Sequence, residues 1–158
     1  MNNPLVRDIM TKNVLAAEAE WSLDELKGFL LEHGISGAPV TDKGKLVGVV
    51  SSTDLLRTEG SEHAHGGHEG YFSTSHDRPL APSELRTMHI EDGSGQTVRD
   101  LMTPVIFEVS DDARVDEVAD TMSRGRIHRV VVTARGRVVG IVTALDLVGV
   151  LRDVLRSE

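Results

Sequence analysis

Cysteine is absent from the 158 residues, and aromatic residues are scarce, with 1 Trp, 1 Tyr and 3 Phe. Without cysteine the chain can form no disulfide, no thiolate metal site and no cysteine nucleophile, which fits a reducing compartment. The N-terminal stretch MNNPLVRDIMTKNV has no long apolar run, so the sequence predicts neither a signal peptide nor a membrane span. We therefore expect a cytoplasmic protein with an aliphatic core.

Basic residues are also in short supply, because 17 Lys and Arg face 25 Asp and Glu, for a net charge of −8. General binding to nucleic acid depends on clustered basic residues that neutralise phosphates, so we expect no nucleic-acid partner. Motifs that organise a catalytic site, such as G-x-S-x-G or H-E-x-x-H, are missing as well. The sequence therefore favours a non-catalytic protein.

An internal repeat is the main positive feature of the sequence. An offset of 92 aligns residues 6–56 with residues 98–148 without a gap, and 16 of the 51 aligned positions are identical. VRDIMT lies over VRDLMT, and GVVSSTDL lies over GIVTALDL. A duplicated unit is the simplest interpretation.

Each copy predicts the same order of elements. A short helical lead-in precedes an extended stretch, an amphipathic helix, two β-rich runs around a Gly-containing turn, and a final helix. The predicted fold is α/β (α+β), with two β-α-β-β-α repeats packed with pseudo-twofold symmetry into one module, because units of about 50 residues bury too little surface alone. We assign residues 1–57 to the first repeat, 58–97 to an inserted linker and 98–158 to the second repeat.

The stretches Ser51-x-x-Asp54 and Thr143-x-x-Asp146 end the second β-run of each copy. One interpretation is a capping box, in which the hydroxyl and the acid satisfy backbone N–H groups at a helix start. The same geometry can bind a ligand, because a helix N-terminus attracts anions and the Asp can accept both hydroxyls of a ribose. Gly48 and Gly140, which precede these motifs, are expected to let a ligand approach the backbone. The two interpretations are not exclusive.

The doubled VRDxMT lead-in, the β-α-β-β-α order and the GVVSSTDL and GIVTALDL stretches resemble the cystathionine-β-synthase (CBS) domain, which occurs in tandem pairs. The resemblance covers nearly everything except the segment between the copies, and we expect a stand-alone pair. It implies central clefts that bind AMP, ADP, ATP or, less often, S-adenosylmethionine. It also implies that Asp54 and Asp146 contact the ribose, and that Ser51 and Thr143 lie near ribose and phosphate.

The second copy contains GRIHRVVV, and the resemblance implies that His128 and Arg129 contact phosphates. The first copy has Ser36 and Gly37 at the matching positions, so either one site is weak or empty or both sites share the same His-Arg pair. The resemblance further implies that aliphatic residues near the first strand and the start of the second hold adenine. The candidates are Val14, Ala38, Ile106 and Val130, for which a plain core role is an equal alternative.

The inserted linker holds five of the seven histidines. His63, His65 and His68 have the composition of a transition-metal site, but their spacing matches no fixed zinc motif, so a flexible polar loop is the default. We expect a short helix to start near Pro82.

Together these observations predict a regulatory module that requires no cofactor, binds an adenine nucleotide as its regulatory ligand, and signals in trans to a protein target that the sequence does not identify. The resemblance also implies a homodimer that buries apolar positions of the lead-in and terminal helices, with Leu55, Leu147, Val150 and Leu151 as candidates. One alternative is a dimeric interaction protein with unused clefts. Another is a metal-responsive module that acts through the His-rich linker.

Overall fold

The computed structural model describes residues 3–59, 81–88, 95–104 and 107–158, with the backbone alone for residues 56–59. In chain order the elements are α1 (Val6–Ile9), β1 (Ala17–Glu18), α2 (Leu23–His33), β2 (Gly37–Asp42), β3 (Lys45–Ser51), a 3-10 helix (Ser52–Glu59), α3 (Pro82–Thr87), α4 (Val98–Leu101), β4 (Thr103–Pro104), β5 (Glu108–Ser110), α5 (Val115–Gly125), β6 (Arg129–Ala134), β7 (Arg137–Thr143) and α6 (Ala144–Arg156). The mixed α/β class and the β-α-β-β-helix order of both repeats are confirmed.

The chain forms two compact units. The first-repeat unit spans Leu15–Val105, and the second-repeat unit combines Met1–Val14 with Ile106–Glu158. Each unit therefore joins the body of one repeat to the lead-in of the other. These compact units divide the chain differently from the sequence repeats. The predicted boundaries of the two repeats therefore stay a prediction.

Local sequence explains where the amphipathic helices begin and end. The Ser22 hydroxyl accepts a hydrogen bond from the Glu25 backbone N–H at 3.1 Å, and a Glu25 carboxylate oxygen accepts one from the Ser22 N–H at 3.1 Å, which starts α2. Gly34 ends α2 with φ 62°, in the left-handed region that glycine adopts without a steric penalty. Arg126 holds the matching place after α5 with φ 51°.

Both hairpins turn through two residues with positive φ. Lys43 and Gly44 have φ values of 52° and 83°, and Arg135 and Gly136 have values of 55° and 79°. Two consecutive left-handed residues are the signature of a type I′ turn, whose twist matches that of the flanking strands. The Gly-containing turns predicted from the sequence are therefore confirmed in both repeats.

The two units use the same strand pairing. In the first-repeat unit β1 runs parallel to β2, β2 pairs antiparallel with β3, and β3 pairs antiparallel with β4. In the second-repeat unit β5 runs parallel to β6, and β6 pairs antiparallel with β7. The register aligns Gly37 with Ser51 in one hairpin and Arg129 with Thr143 in the other, which places equivalent residues at the end of each hairpin.

Backbone hydrogen bonds attach each lead-in, the VRDIMT or VRDLMT stretch and the residues beside it, to the body of the other repeat. The Val6 N–H donates to the Ala113 carbonyl at 2.8 Å, and the Val98 N–H donates to the Trp21 carbonyl at 2.9 Å. Thr11 also pairs with Ile141 through bonds of 2.9 and 3.0 Å. Equivalent residues make equivalent bonds in the two units, so the duplication extends to the way the lead-ins are exchanged.

Gly48 and Gly140 accommodate these lead-ins. A Cβ on Gly140 would lie 2.5 Å from the Met10 sulfur and 2.9 Å from the Thr11 carbonyl oxygen, and one on Gly48 would lie 2.7 Å from the Met102 sulfur. The expectation that these glycines open the backbone to a ligand is therefore wrong, because the lead-in methionines fill the space. The Met-Thr pair of each lead-in thus packs against the glycine of the strand, and both are repeated in the sequence.

The core of the first-repeat unit is aliphatic and includes part of the inserted linker. Leu85 on α3 and the adjacent Met88 are only 3% and 7% exposed and belong to the same cluster as Leu26, Leu30 and Val40. The predicted helix at Pro82 is confirmed as α3. This part of the linker therefore packs onto the repeat.

Lys27 and Arg99 add polar contacts within the first-repeat unit. The Lys27 ammonium donates to the Met88 carbonyl at 2.8 Å, just after α3. Arg99 on α4 forms ion pairs of 2.8 Å with Glu20 and Asp42. Hydrogen bonds to Glu20 and Asp42 raise the pKa of Arg99, in that order of importance. These contacts fix α3 and α4 to the body of the first repeat.

Two further sequence predictions concern the terminal helices and the membrane. Leu55 is 0% exposed and lies in the core of the first-repeat unit, so its predicted exposure at a dimer surface is wrong. Among the residues that the structure describes, no helix is long and apolar enough to cross a membrane.

Candidate functional site

The two hydroxyl and carboxylate pairs form capping contacts of the same geometry. The Ser51 N–H donates to Asp54 Oδ2 at 2.8 Å, and the Thr143 N–H donates to Asp146 Oδ2 at 2.8 Å. The hydroxyls donate to the same carboxylate oxygens at 3.3 and 3.1 Å. In α6 the Asp146 N–H also donates to Thr143 Oγ1 at 3.4 Å. The capping interpretation is thus confirmed in full for Thr143 and Asp146, whereas Ser51 and Asp54 show the half in which the acid accepts from the Ser51 N–H. Both results leave ligand binding open.

Burial separates the two pairs. Ser51 and Asp54 are 3% and 7% exposed, whereas Thr143 and Asp146 are half-buried. Every hydrogen bond of the Asp146 carboxylate within the described ranges uses Oδ2, which leaves Oδ1 with no hydrogen bond there. Asp54 makes further contacts of its own. Of the two pairs, the second therefore presents the more accessible carboxylate.

The residues before β2 and β6 determine what faces each hydroxyl. Arg129 is the cross-strand partner of Thr143, and Gly37 is the cross-strand partner of Ser51. Side chains of directly paired residues lie on the same face with Cβ atoms about 5 Å apart. The Arg129 side chain therefore leaves β6 on the same face as the Thr143 hydroxyl, whereas Gly37 has no side chain to offer at the matching position.

His128 connects to α6 through its backbone. Its carbonyl accepts a hydrogen bond from the Ala144 N–H at 2.8 Å, as the Ser36 carbonyl does from the Ser52 N–H at 2.7 Å. The His128 side chain is exposed. The structure thus brings four of the predicted residues, His128, Arg129, Thr143 and Asp146, to the same end of the β6–β7 hairpin.

The predicted adenine contacts are not gathered in the same way. Ala38 and Val130 are 1% and 0% exposed, so both are core residues with no side-chain surface to offer. Val14 is half-buried. Ile106 lies outside the described residues. Contact between adenine and these positions stays a prediction, and for Ala38 and Val130 it would need their backbone groups.

Sequence reasoning missed a difference two residues after each hydroxyl. Thr53 Oγ1 lies 2.7 Å from Ser51 Oγ, so the two hydroxyls share a hydrogen bond. The matching residue of the second repeat is Leu145, which is 77% exposed and has no polar atom in its side chain. The alignment of SSTDL with TALDL already shows that Thr53 is replaced by Leu145. The sequence alone does not show that the Thr53 hydroxyl points at Ser51.

The metal candidates and one surface groove lie away from the hairpin end. His63, His65 and His68 lie outside the described residues, and in the described ranges no three His, Asp or Glu residues gather as a metal site would require. A groove of about 610 Å³ in the second-repeat unit is lined by Pro4, Asp8, Ile9, Val150, Asp153, Val154, Ser157 and Glu158. It contains none of the predicted ligand residues, which lie instead at the end of the β6–β7 hairpin or elsewhere in the chain.

Comparison with known proteins places the chain in a family. The family model for the CBS domain matches residues 6–60 and 98–153. The chain is 31% identical to the uncharacterized protein MJ1426 of Methanocaldococcus jannaschii over 159 residues, which cover 93% of this chain and 90% of that protein. It spans only 22% to 44% of the length of three other curated relatives.

Two solved structures cover nearly the whole chain. The CBS domain pair of protein MJ0100, in complex with 5′-methylthioadenosine and S-adenosyl-L-methionine, is 27% identical, with a TM-score of 0.62 and coverage of 96% of this chain and 98% of that one. CBSX2 of Arabidopsis thaliana, in complex with AMP, is 25% identical, with a TM-score of 0.64 and coverage of 95% and 97%. The chain belongs to the CBS domain family and carries two copies of the domain.

Proposed function

We propose that the protein is a non-catalytic regulatory module that binds an adenine nucleotide and passes the effect of binding to a partner protein in trans. Similar CBS domain pairs bind AMP in one case, and methylthioadenosine with S-adenosylmethionine in another. The observation that carries the proposal is the hairpin end of the second-repeat unit, where Arg129, Thr143 and Asp146 combine a cation, a hydroxyl and an available carboxylate oxygen.

Each group suits one part of a nucleotide. A guanidinium offers paired donors in a planar fork that matches phosphate oxygens. The positive end of the α6 helix dipole and the Thr143 hydroxyl favour an anion. The Asp146 carboxylate, which is acceptor-only when ionised, can receive the hydroxyl protons of a ribose. Adenosine phosphates combine these features in one molecule.

If the nucleotide binds one conformation of the protein more tightly than another, binding shifts the population toward that conformation, and a partner can detect the shift. A ligand shifts a conformational equilibrium only by the difference between its binding free energies for the two states. We propose that the recipient is a separate protein, and the cytoplasmic location predicted from the sequence stays a prediction.

We also propose a homodimer. Four apolar side chains of α6 are exposed in one chain and recur at helical spacing, namely Leu145, Val148, Leu151 and Leu155, with exposed fractions of 77%, 57%, 57% and 63%. Of the positions predicted from the sequence, Leu151 belongs to this stripe, while Leu147 and Val150 are half-buried. A twofold axis would place the stripe of one chain on that of its partner, as a self-complementary interface requires.

Calorimetric titration of ligand-free protein with AMP, ADP, ATP and S-adenosylmethionine tests the nucleotide proposal, with GMP as the control for adenine. We expect at least one adenosine ligand to bind with a dissociation constant on the order of micromolar, or about −8 kcal/mol, and GMP to bind more weakly. No binding by folded, ligand-free protein would contradict the proposal.

A second function is favoured by the completeness of the caps. Both carboxylates already accept a backbone N–H of their own motif without any ligand, as they would in a CBS pair that works only as a dimeric interaction protein. Absence of nucleotide binding, combined with a stable dimer, would select this alternative.

A further inference from the structure

We propose that each chain holds one competent nucleotide site, located at the β6–β7 hairpin end of the second-repeat unit and selective for an adenosine phosphate over S-adenosylmethionine. The matching motif of the first-repeat unit is then a helix cap and no more. This inference rests on the proposed function and determines which of the two duplicated motifs performs it. Three independent differences between the motifs support it.

The first difference is the cross-strand residue. Arg129 faces Thr143 in the second-repeat unit, and Gly37 faces Ser51 in the first. Hydrogen bonds between a guanidinium and a phosphate are charge-assisted and stronger than neutral ones. The first motif has no cationic side chain at the equivalent position, so it lacks the group that would anchor a phosphate there.

The second difference is the availability of the carboxylate. Asp146 is half-buried, and its Oδ1 accepts no hydrogen bond from any residue in the described ranges. Asp54 is 7% exposed and makes contact beyond the cap. A ribose would have to displace packed protein to reach Asp54, whereas Asp146 can accept its hydroxyls as it stands.

The third difference is the state of the hydroxyl. Ser51 Oγ is 2.7 Å from Thr53 Oγ1 and also donates to Asp54, so a second hydroxyl of the motif already occupies one side of it. Leu145 replaces Thr53 in the second repeat and cannot compete for Thr143. The Thr143 hydroxyl therefore retains a lone pair that a ligand donor can use.

Selectivity follows from the charge at the competent site. Arg129 attracts a phosphate, while S-adenosylmethionine has no phosphate and carries a net positive charge that a guanidinium repels. Adenosine lacks the anion altogether. We therefore expect AMP to bind more tightly than either of these ligands.

Calorimetry with AMP, S-adenosylmethionine and adenosine on the full chain measures both stoichiometry and selectivity. The variants are Arg129→Gln and Leu145→Thr, and the matched control is Arg137→Gln, which removes an exposed arginine at the opposite end of the same hairpin. Thermal unfolding of each variant establishes that it is folded before titration. Light scattering establishes that Leu145→Thr keeps the assembly state of the unaltered protein, because Leu145 also belongs to the exposed stripe of α6.

The inference predicts one AMP per chain. Arg129→Gln should weaken AMP binding by about tenfold or more, because a charge-assisted bond is lost, and should change adenosine binding little. Leu145→Thr should weaken AMP binding several-fold, because the new hydroxyl recreates the Ser51–Thr53 contact beside Thr143. Arg137→Gln should stay within about twofold of the unaltered protein.

Two outcomes would overturn the inference while leaving the proposed function intact. One is two AMP molecules per chain, and the other is a single molecule whose affinity is the same in Arg129→Gln and Leu145→Thr as in the control. If the unaltered protein binds none of the ligands, the proposed function fails and the inference fails with it.

Discussion

Ser52 shows how the two repeats have diverged at a single residue. Its side chain is 1% exposed, and its hydroxyl has no hydrogen-bond partner in the part of the chain that the structure describes. The second repeat has Ala144 at the matching position. A buried hydroxyl without a partner costs about 1–3 kcal/mol of desolvation, so Ser52 weakens the first-repeat unit.

Ser52→Ala should therefore leave the free energy of unfolding equal or raise it by up to about 2 kcal/mol. Urea denaturation followed by circular dichroism measures the change. Ser22→Ala is the matched control, because it removes a hydroxyl that caps α2 and should lower stability by about 1 kcal/mol. A loss of stability in Ser52→Ala as large as that in Ser22→Ala would show that the hydroxyl has a stabilising role.

Asp116 gives a residue-scale prediction for pH. The Asn3 amide donates a hydrogen bond of 2.8 Å to its carboxylate, and this bond is the main reason why the pKa of Asp116 lies below its ordinary value of 3.8. A lowered pKa means that the folded state favours the ionised form. The resulting stabilisation is present above the pKa of the unfolded chain and is lost as pH falls through the folded pKa.

Asn3→Ala should raise the pKa of Asp116 towards 3.8 and reduce the loss of stability in that acidic window. An NMR titration of the side-chain carboxyl, in the unaltered protein and the variant, measures the shift. Equal titration midpoints in the two proteins would show that the Asn3 bond does not persist in solution.

The exchanged lead-ins give the prediction at the scale of elements. A methyl group at Gly140 would lie 2.5 Å from the Met10 sulfur and 2.9 Å from the Thr11 carbonyl oxygen, so α1 or the segment after it must shift. Gly140→Ala should lower the free energy of unfolding by about 1–3 kcal/mol. Met10→Ala in the same chain should recover part of that loss, because the sulfur contact is relieved and the carbonyl contact remains.

Gly149→Ala is the control for that experiment. Gly149 lies within α6, and no atom lies within 4 Å of the place where its Cβ would be. Alanine there should raise stability by about 0.5–1 kcal/mol through helix propensity. A Gly140→Ala variant that behaves like Gly149→Ala would mean that the lead-in does not pack against β7.

Sequence patterns predicted the elements well because their signals are local. Gly44 and Gly136 in the turns, and the periodic spacing of apolar residues, act within a few residues of themselves. The 3-10 geometry of Ser52–Glu59 was not predicted, since its first residues SSTDL read as a helix start just as TALDL does. The exchange of lead-ins was missed for a different reason, because an alignment shows which segments are related and not where each one packs.

The candidate site could be predicted only in part. The alignment identified Ser51, Asp54, Thr143 and Asp146 and noted that the His-Arg pair occurs in one copy. It could not show that Asp54 is buried and Asp146 is accessible, because burial depends on contacts between segments distant in the chain. The competence of each motif is therefore a property of tertiary packing.

At the scale of the whole molecule, the α6 stripe predicts the assembly state. Burial of a leucine side chain contributes about 1.5–3 kcal/mol, and each interface residue would be used twice in a symmetric dimer. Leu155→Asp should therefore convert the dimer to a monomer at micromolar concentration, as measured by light scattering. Arg156→Gln, one residue along the same helix, should leave the dimer unchanged, and a monomeric unaltered protein would contradict the proposal.

The central claim is that a nucleotide binds beside Asp146 and not beside Asp54. A crystal structure of the full chain grown with AMP tests it most directly. The account predicts one AMP per chain, with a ribose hydroxyl hydrogen-bonded to Asp146 Oδ1, the phosphate at Thr143 and Arg129, and the Ser51–Thr53 contact intact. An AMP bound to Asp54, with Ser51 and Thr53 separated to admit it, would contradict the account.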